Sequence, residues 1–327
     1  MGQFNSAPER PELARLGHVA LETPDLDESL RFFRDTIGLQ ETDRTEDTAF
    51  LRSMYDTEHH TLSLTETDTA GVNHIGWRAQ RPEHLELFVD QLEKEDIDVS
   101  RLSAGEERGQ GEAIRFEAPN GHPFEIYYDV EKPDPQTEKE SQLKARRVSG
   151  DTLVRGAPTR LDHVHLRDRD GAAATEWLEE HLGFQVNEFY RNKGKRWGTW
   201  LSVTPQPHDL ALSTHEDTGD SDGRAEQFHH VSYRVETEHD LFAAADRLRE
   251  NGYKLDAGPG QHAITEGKYL YMREPASDIR LELYTGGYLI FDPDWEPIEW
   301  SDEDIGIAGD HQWIGELDER MKPTIPY

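Results

Sequence analysis

Three short stretches carry the residue types that bind metals and move protons. LDHVHL at 161–166 and FHHVSYRV at 228–235 supply histidines. QHAITEGKYLYMREPASDIRLELYTGG at 261–287 leads to Glu282, with His262, Tyr269 and Tyr271 upstream. Two histidines and one carboxylate from three separate strands make a ligand set that binds Fe(II) on one face and leaves the opposite positions open. Mn(II) suits the same nitrogen and oxygen donors. The chain has no cysteine, which excludes thiolate sites, disulfides and cysteine nucleophiles. A transition metal must therefore sit on His, Asp and Glu.

The elements that must position these groups follow from strand parity, since alternate residues of a strand share a face. In LDHVHL, Val164 and Leu166 point one way, His163 and His165 the other. In HHVSYRV, Val231, Tyr233 and Val235 form the apolar set and His230 lies opposite, with His229 expected on the apolar side. In RLELY, Leu281 and Leu283 pack while Glu282 and Tyr284 face away. A lone strand histidine is more often structural than ligating. Agreement of parity on three strands favours a cupped sheet with a polar cavity inside and helices outside.

The chain repeats itself. Residues 17–39 read as strand, turn and helix, with Thr23 the expected N-cap, Pro24 at the first helical position and Gly38 the stop. Leu26, Leu30, Phe33 and Ile37 form the apolar stripe of that helix. Residues 162–184 repeat the pattern, VNHIGWRA at 72–79 answers FHHVSYRV, and APNGHPFEIYY answers EPASDIRLELY. The offsets are 163 − 18 = 145, 230 − 74 = 156 and 282 − 125 = 157, which places one insertion at the acidic stretch 215–226. We therefore expect an α+β fold built as a tandem duplication. Its units are residues 1–145, residues 146–290, and a tail at 291–327 that packs on the second unit or on a neighbouring subunit. Residues 131–159 read as the link between the halves.

The net charge is −32, from 67 acidic and 35 basic residues, the latter mostly arginine. Such a surface suits a halophile, in which salt screens the self-repulsion, and it disfavours nucleic acid as a partner. Apolar runs fall short of the ~20 residues of a membrane helix, and the first residues lack the apolar core of a secretion signal. A cytoplasmic protein without a membrane partner is the expectation.

The motifs LDH, HHVS, GPxxH, YLY followed by a proline, and ELYTGG resemble those of the type I extradiol ring-cleavage dioxygenases of the vicinal oxygen chelate superfamily. Catechol 2,3-dioxygenases and homoprotocatechuate 2,3-dioxygenases are the nearest types, and the likeness runs from residue 17 to residue 300. It implies paired βαβββ modules, two cupped mixed sheets and a non-haem Fe(II), with Mn(II) the alternative, held by His163, His230 and Glu282. It implies His208 as the acid–base histidine beside the O₂ site, and His262 and Tyr271 as the pair that binds the substrate oxygen. One extra residue in PASDIRLE leaves Tyr269 as the alternative to Tyr271. Trp200 flanks the substrate ring in this reading and His165 contacts the substrate. The implied reaction cleaves catechol or an alkyl-catechol with O₂ to a 2-hydroxymuconic semialdehyde, in a homo-oligomer that the family usually builds as a tetramer.

Arginines that hold a carboxylated substrate are missing at the positions where homoprotocatechuate enzymes carry them. Ala257 stands at one, and no arginine lies between Arg280 and Arg320. A neutral catechol is the better expectation. His18, His74 and Glu125 occupy the repeat-equivalent ligand positions in the first half, with His60 parallel to His208 and Arg115 at the place of Tyr271 by count. This set reads as a relic of the duplication, and a second metal site is its alternative. The rivals are a superfamily isomerase or transferase that also uses His/Glu ligands, and a metal-free small-molecule binding protein.

Overall fold

A computed structural model describes residues 10–132, 154–214, 227–301, 303–304, 311–312 and 325–326. In its first half, β1 (Leu13–Thr23), β2 (Gln40–Arg44), β3 (Thr48–Arg52), β4 (Leu62–Glu66), β5 (Gly71–Ala79), β6 (Val99–Leu102), β7 (Ala113–Glu117) and β8 (Pro123–Tyr127) form one mixed sheet. Their order across it is β2-β3-β4-β1-β5-β8-β7-β6. The second half supplies β9 (Arg160–Asp168), β10 (Gln185–Asn192), β11 (Lys195–Ser202), β12 (Leu210–Thr214), β13 (Gln227–Arg234), β14 (Leu255–Gln261), β15 (Gly267–Arg273) and β16 (Arg280–Gly286). These run β10-β11-β12-β9-β13-β16-β15-β14, the first order with each strand replaced by its repeat counterpart. The duplication is thus a property of the topology. Three short strands extend the second sheet: β17 (Ile298–Trp300) on β10, β18 (His311–Gln312) on β14 and β19 (Ile325–Pro326) on β13.

Among the described residues each half carries two α-helices. In the first, α1 (Leu26–Leu30) widens into a π-helical stretch Arg31–Ile37, and α2 (His84–Lys94) follows β5. In the second, α3 (Gly171–Trp177) widens likewise over Leu178–Leu182, and α4 (Glu238–Glu250) follows β13. The stripe Leu26, Leu30, Phe33 and Ile37 is buried. Gly38 ends the helix at φ 98°, a left-handed conformation that costs glycine little. The N-cap differs from expectation. Asp25, not Thr23, caps α1, because its carboxylate reaches the Glu28 amide at 2.8 Å, while Thr23 still belongs to β1 and bonds Ser29 Oγ at 2.7 Å.

The strand parity puts Val164, Leu166, Val231, Tyr233, Leu281 and Leu283 in the core, packed with Leu241, Ala244 and Leu248 of α4. This apolar core runs on into the first half, where Tyr233 Oη lies 3.2 Å from Thr61 Oγ1. The boundary drawn at 145/146, most of the link at 131–159, the insertion at 215–226 and most of the tail beyond 301 lie outside the described residues. Among the described residues no helix is long and apolar enough to cross a membrane.

Candidate metal centre

Strand registers gather the chemistry-bearing residues into two neighbouring rows. One row runs Trp200 (β11), Ala211 (β12), His165 (β9), His230 (β13). The other runs His163 (β9), Ser232 (β13), Glu282 (β16), Tyr271 (β15), Ala257 (β14). Cross-strand partners share a face, so seven separate strands present these side chains together. His208 and His262 come from outside the rows, His208 just before β12 and His262 just after β14.

His163, His230 and Glu282 meet in the middle. Glu282 Oε2 lies 2.8 Å from His163 Nε2 and 3.4 Å from His230 Nε2, and the two ring nitrogens are 3.3 Å apart. All three residues are buried, yet Glu282 Oε2 makes no hydrogen bond despite this closeness. The three ligand atoms lie within 4.8 Å of one another, close enough to share one cation. Asp162 Oδ1 accepts from His163 Nδ1 at 2.9 Å. That bond fixes the tautomer and leaves the Nε2 lone pair to face the common point. Burial works against a charged His163, but Glu282 and Asp162 outweigh it and push the ring up to about 9. Burial takes His230 down to about 4 despite Glu282. Glu282 itself is held well below the carboxylate range, since the two histidines outweigh burial. The composition of the donor set, two imidazoles and a carboxylate, fits a divalent metal.

His208 packs on His163 at a tilt of 46°, with ring centroids 4.0 Å apart, and its buried Nδ1 has no hydrogen-bond partner. Burial and the neighbouring His163 hold it well below the usual imidazole range, so the ring is neutral. His262 Nε2 sits 3.1 Å from Tyr271 Oη and 3.4 Å from Glu282 Oε1. Tyr269 lies beneath His262, stacked at 4.1 Å, so of the two tyrosines it is the Tyr271 hydroxyl that meets the His262 nitrogen. Tyr284 closes the far wall edge-on to His163 at 5.2 Å. His165 Nε2 is 2.8 Å from Ser213 Oγ.

One expectation of parity fails. A register shift between Phe228 and His230 makes a bulge at His229. The extra residue breaks the alternation and brings His229 to the cavity side, 4.5 Å from the His165 ring and with Nδ1 2.6 Å from His230 Nδ1. Arg280 Nη1 holds the other ring nitrogen of His229 at 2.8 Å. The Asp162 partner of His163 also went unread in the sequence, although the dipeptide Asp-His is its signal.

The first sheet repeats the ligand positions and differs in chemistry. His18 and His74 approach through Nε2 at 2.8 Å, and Glu125 lies 3.6 Å from each. Here both carboxylate oxygens are taken. Gln110 Nε2 donates to Oε1 at 2.6 Å and Arg115 Nε donates to Oε2 at 2.6 Å. Arg115 also reaches Glu107 at 2.6 Å. Arg115 pairs with Glu125 in register as Tyr271 pairs with Glu282. A guanidinium therefore stands against the carboxylate of the first sheet where a phenol stands in the second.

The chain matches the Glyoxalase/Bleomycin resistance protein/Dioxygenase superfamily over residues 160–294 and the catechol 2,3-dioxygenase-like N-terminal domain over residues 72–131. It is 46% identical over 319 residues to the manganese-dependent 2,3-dihydroxybiphenyl 1,2-dioxygenase of Geobacillus genomosp. 3, spanning 96% of this chain and 97% of that protein. A metapyrocatechase of Geobacillus stearothermophilus is 36% identical over 306 residues, 93% of this chain and 90% of that one. Among solved structures, an extradiol ring-cleaving dioxygenase from B. fuscum superposes with a TM-score of 0.85 at 25% identity, covering 98% of this chain and 84% of its own.

Proposed function

Because this chain belongs to the type I extradiol dioxygenases of the vicinal oxygen chelate superfamily, we propose that it opens the ring of a neutral catechol with O₂ at one divalent metal held by His163, His230 and Glu282. The observation that carries this reading is the buried Glu282 oxygen, surrounded by two imidazole nitrogens and bonded to neither. Fe(II) is our first assignment. Mn(II) is the alternative, since a relative of high identity is manganese-dependent. The bound ion would supply one electrophilic centre on which the diol and O₂ are held side by side, turning a two-molecule encounter into an intramolecular one.

The protein's own part is orientation and proton handling. Asp162 keeps the His163 tautomer fixed through the bond at Nδ1. The His262–Tyr271 pair, 3.1 Å apart, would donate to a substrate oxygen and stabilise its negative charge. Neutral His208, packed against His163, would take a proton from the diol and return it as the ring opens. Trp200 and His165, on either side of Ala211 in the first row, would flank the aromatic ring. Oxygen is inserted beside the diol, so catechol and O₂ combine without loss of atoms into 2-hydroxymuconic semialdehyde.

Charge argues for a neutral substrate. Arg273 is engaged by Asp256 and Asp278, Arg280 by Asp256 and His229, and Arg234 by Asp162 and the Gly286 carbonyl. Arg167 stands two residues beyond His165 on that face, so a carboxylated catechol that outran the neutral ones would point to it. The test is oxygen uptake in high salt by Fe(II)- or Mn(II)-loaded protein, with catechol, 2,3-dihydroxybiphenyl and homoprotocatechuate compared. One O₂ per yellow product from a neutral diol is the expected result. Metal bound without uptake from any diol would favour the isomerase or transferase reading, and no metal bound would favour the binding protein.

A further inference from the structure

We propose that Glu188 is a positioning residue for His262, and that the chain from Tyr288 to Trp300 is thereby part of the catalytic site. Glu188 lies on β10, opposite Trp200 at the end of the first row, and is 1% exposed. Its Oε1 accepts the Thr265 amide at 2.8 Å and the Tyr288 hydroxyl at 2.5 Å. Its Oε2 accepts the Trp300 indole N–H at 2.7 Å. Three neutral donors from two distant stretches of chain thus converge on one buried carboxylate.

What the carboxylate holds is an unusual turn. Thr265 and Glu266, both with side chains, sit at φ 67° and 54°, in the left-handed region that L residues rarely adopt. The surroundings must over-determine such a conformation, and turns of this kind collect at functional sites. The turn closes where His262 donates its amide to the Gly267 carbonyl at 2.8 Å, so the apex and His262 move together. Glu188 supplies the partner of the Thr265 amide, while Tyr284, which walls His163, donates to Thr265 Oγ1 at 3.3 Å. Releasing Glu188 lets the apex relax and takes His262 from its place against Tyr271 and Tyr269.

The tail shares the same anchor. Ile298–Trp300 pairs in parallel with β10, Ile298 opposite Glu188, and the Trp295 indole N–H donates to the Asn187 carbonyl at 3.3 Å. Tail docking and turn conformation therefore depend on one side chain. A carboxylate suits the place and an amide does not, because glutamine would set its NH₂ against a donor.

The inference rests on the role given to His262 above, but its first readout does not. The test takes metal-loaded full-length protein, wild type, Glu188→Gln and Trp300→Phe. It measures hydrogen exchange of peptides covering 262–268 and 228–234, metal per chain, and kcat and KM for catechol across pH. In Glu188→Gln, exchange at 262–268 rises while 228–234 and the metal content hold. There kcat falls by about 10- to 100-fold, the scale of a misplaced reacting group, KM moves less, and the pH profile of kcat shifts. Trp300→Phe, which removes one of the three donors to Glu188, changes both in the same direction by less. Unchanged exchange at 262–268 in Glu188→Gln overturns the proposal, as does faster exchange with kcat and its pH profile intact. Should Glu188→Gln fail to fold, Trp300→Phe decides by the same criteria. If wild-type protein cleaves no diol, the function proposed above falls, and the exchange arm still decides whether Glu188 holds the turn.

Discussion

Replacing Arg115 with tyrosine, the residue at the matching place in the second half, should turn the first sheet into a metal site. Arg115 donates to both Glu125 and Glu107, and Glu125 is fully buried. Removing one partner of a buried ion pair costs about 3–5 kcal/mol, because the charge left behind is uncompensated. Arg115 keeps a side-chain exposure of 31%, so water screens part of this and the cost lies near the lower end, about 3 kcal/mol. A divalent ion that binds His18, His74 and the freed Glu125 would offset the loss. At one hundred times its dissociation constant it restores about 2.7 kcal/mol. The assay is paired: metal per chain after dialysis, and Tm with and without Mn(II). Wild type should hold one equivalent. Arg115→Tyr should melt several degrees lower when metal-free, recover most of that with metal, and approach two equivalents. One equivalent and a Tm indifferent to added metal would refute the reasoning.

The remaining expectations concern the second sheet and the surface. Asp162→Asn removes the charge behind His163, and a partner of this kind is worth 10- to 100-fold in metal affinity, or about 1.4–2.7 kcal/mol; competition against a chelator measures it, and an unchanged affinity denies Asp162 the role. His208→Phe should keep the metal and lose about 10²- to 10⁴-fold in kcat, the range of general acid–base catalysis, with full turnover rejecting the assignment. At net charge −32 the fold should gain stability with salt, because screening shortens from ~10 Å at 0.1 M to ~3 Å at 1 M. A Tm that stays flat across that range would exclude a salt-adapted surface.

The parts of this molecule that were legible in the sequence are those governed by a local period. Alternation placed Val164 and Leu281 in the core and turned His163 and Glu282 the other way, and the repeat of whole motifs gave the doubled topology. Features set by contacts between distant residues left no such trace. The bulge at His229 depends on how β13 pairs with β9, and a run of two histidines carries no mark of it. Glu188 reads as one more acid on a strand, since its donors lie 77, 100 and 112 residues away.

Arg115 shows the same limit from the opposite side. Counting found its position, but only the geometry shows that it neutralises Glu125. That contrast also explains why one frame, used twice, need not do the same chemistry twice. A buried carboxylate stays ionised only where positive charge stands beside it. In the first sheet a side chain provides it permanently, and Gln110 takes the remaining oxygen. In the second sheet tyrosine stands at the equivalent place, Tyr271 turns its hydroxyl to His262, and the Glu282 oxygen remains without a hydrogen bond. Arg115 and Gln110 together occupy both Glu125 oxygens, whereas the tyrosine at the matching register position leaves Glu282 Oε2 without a hydrogen bond.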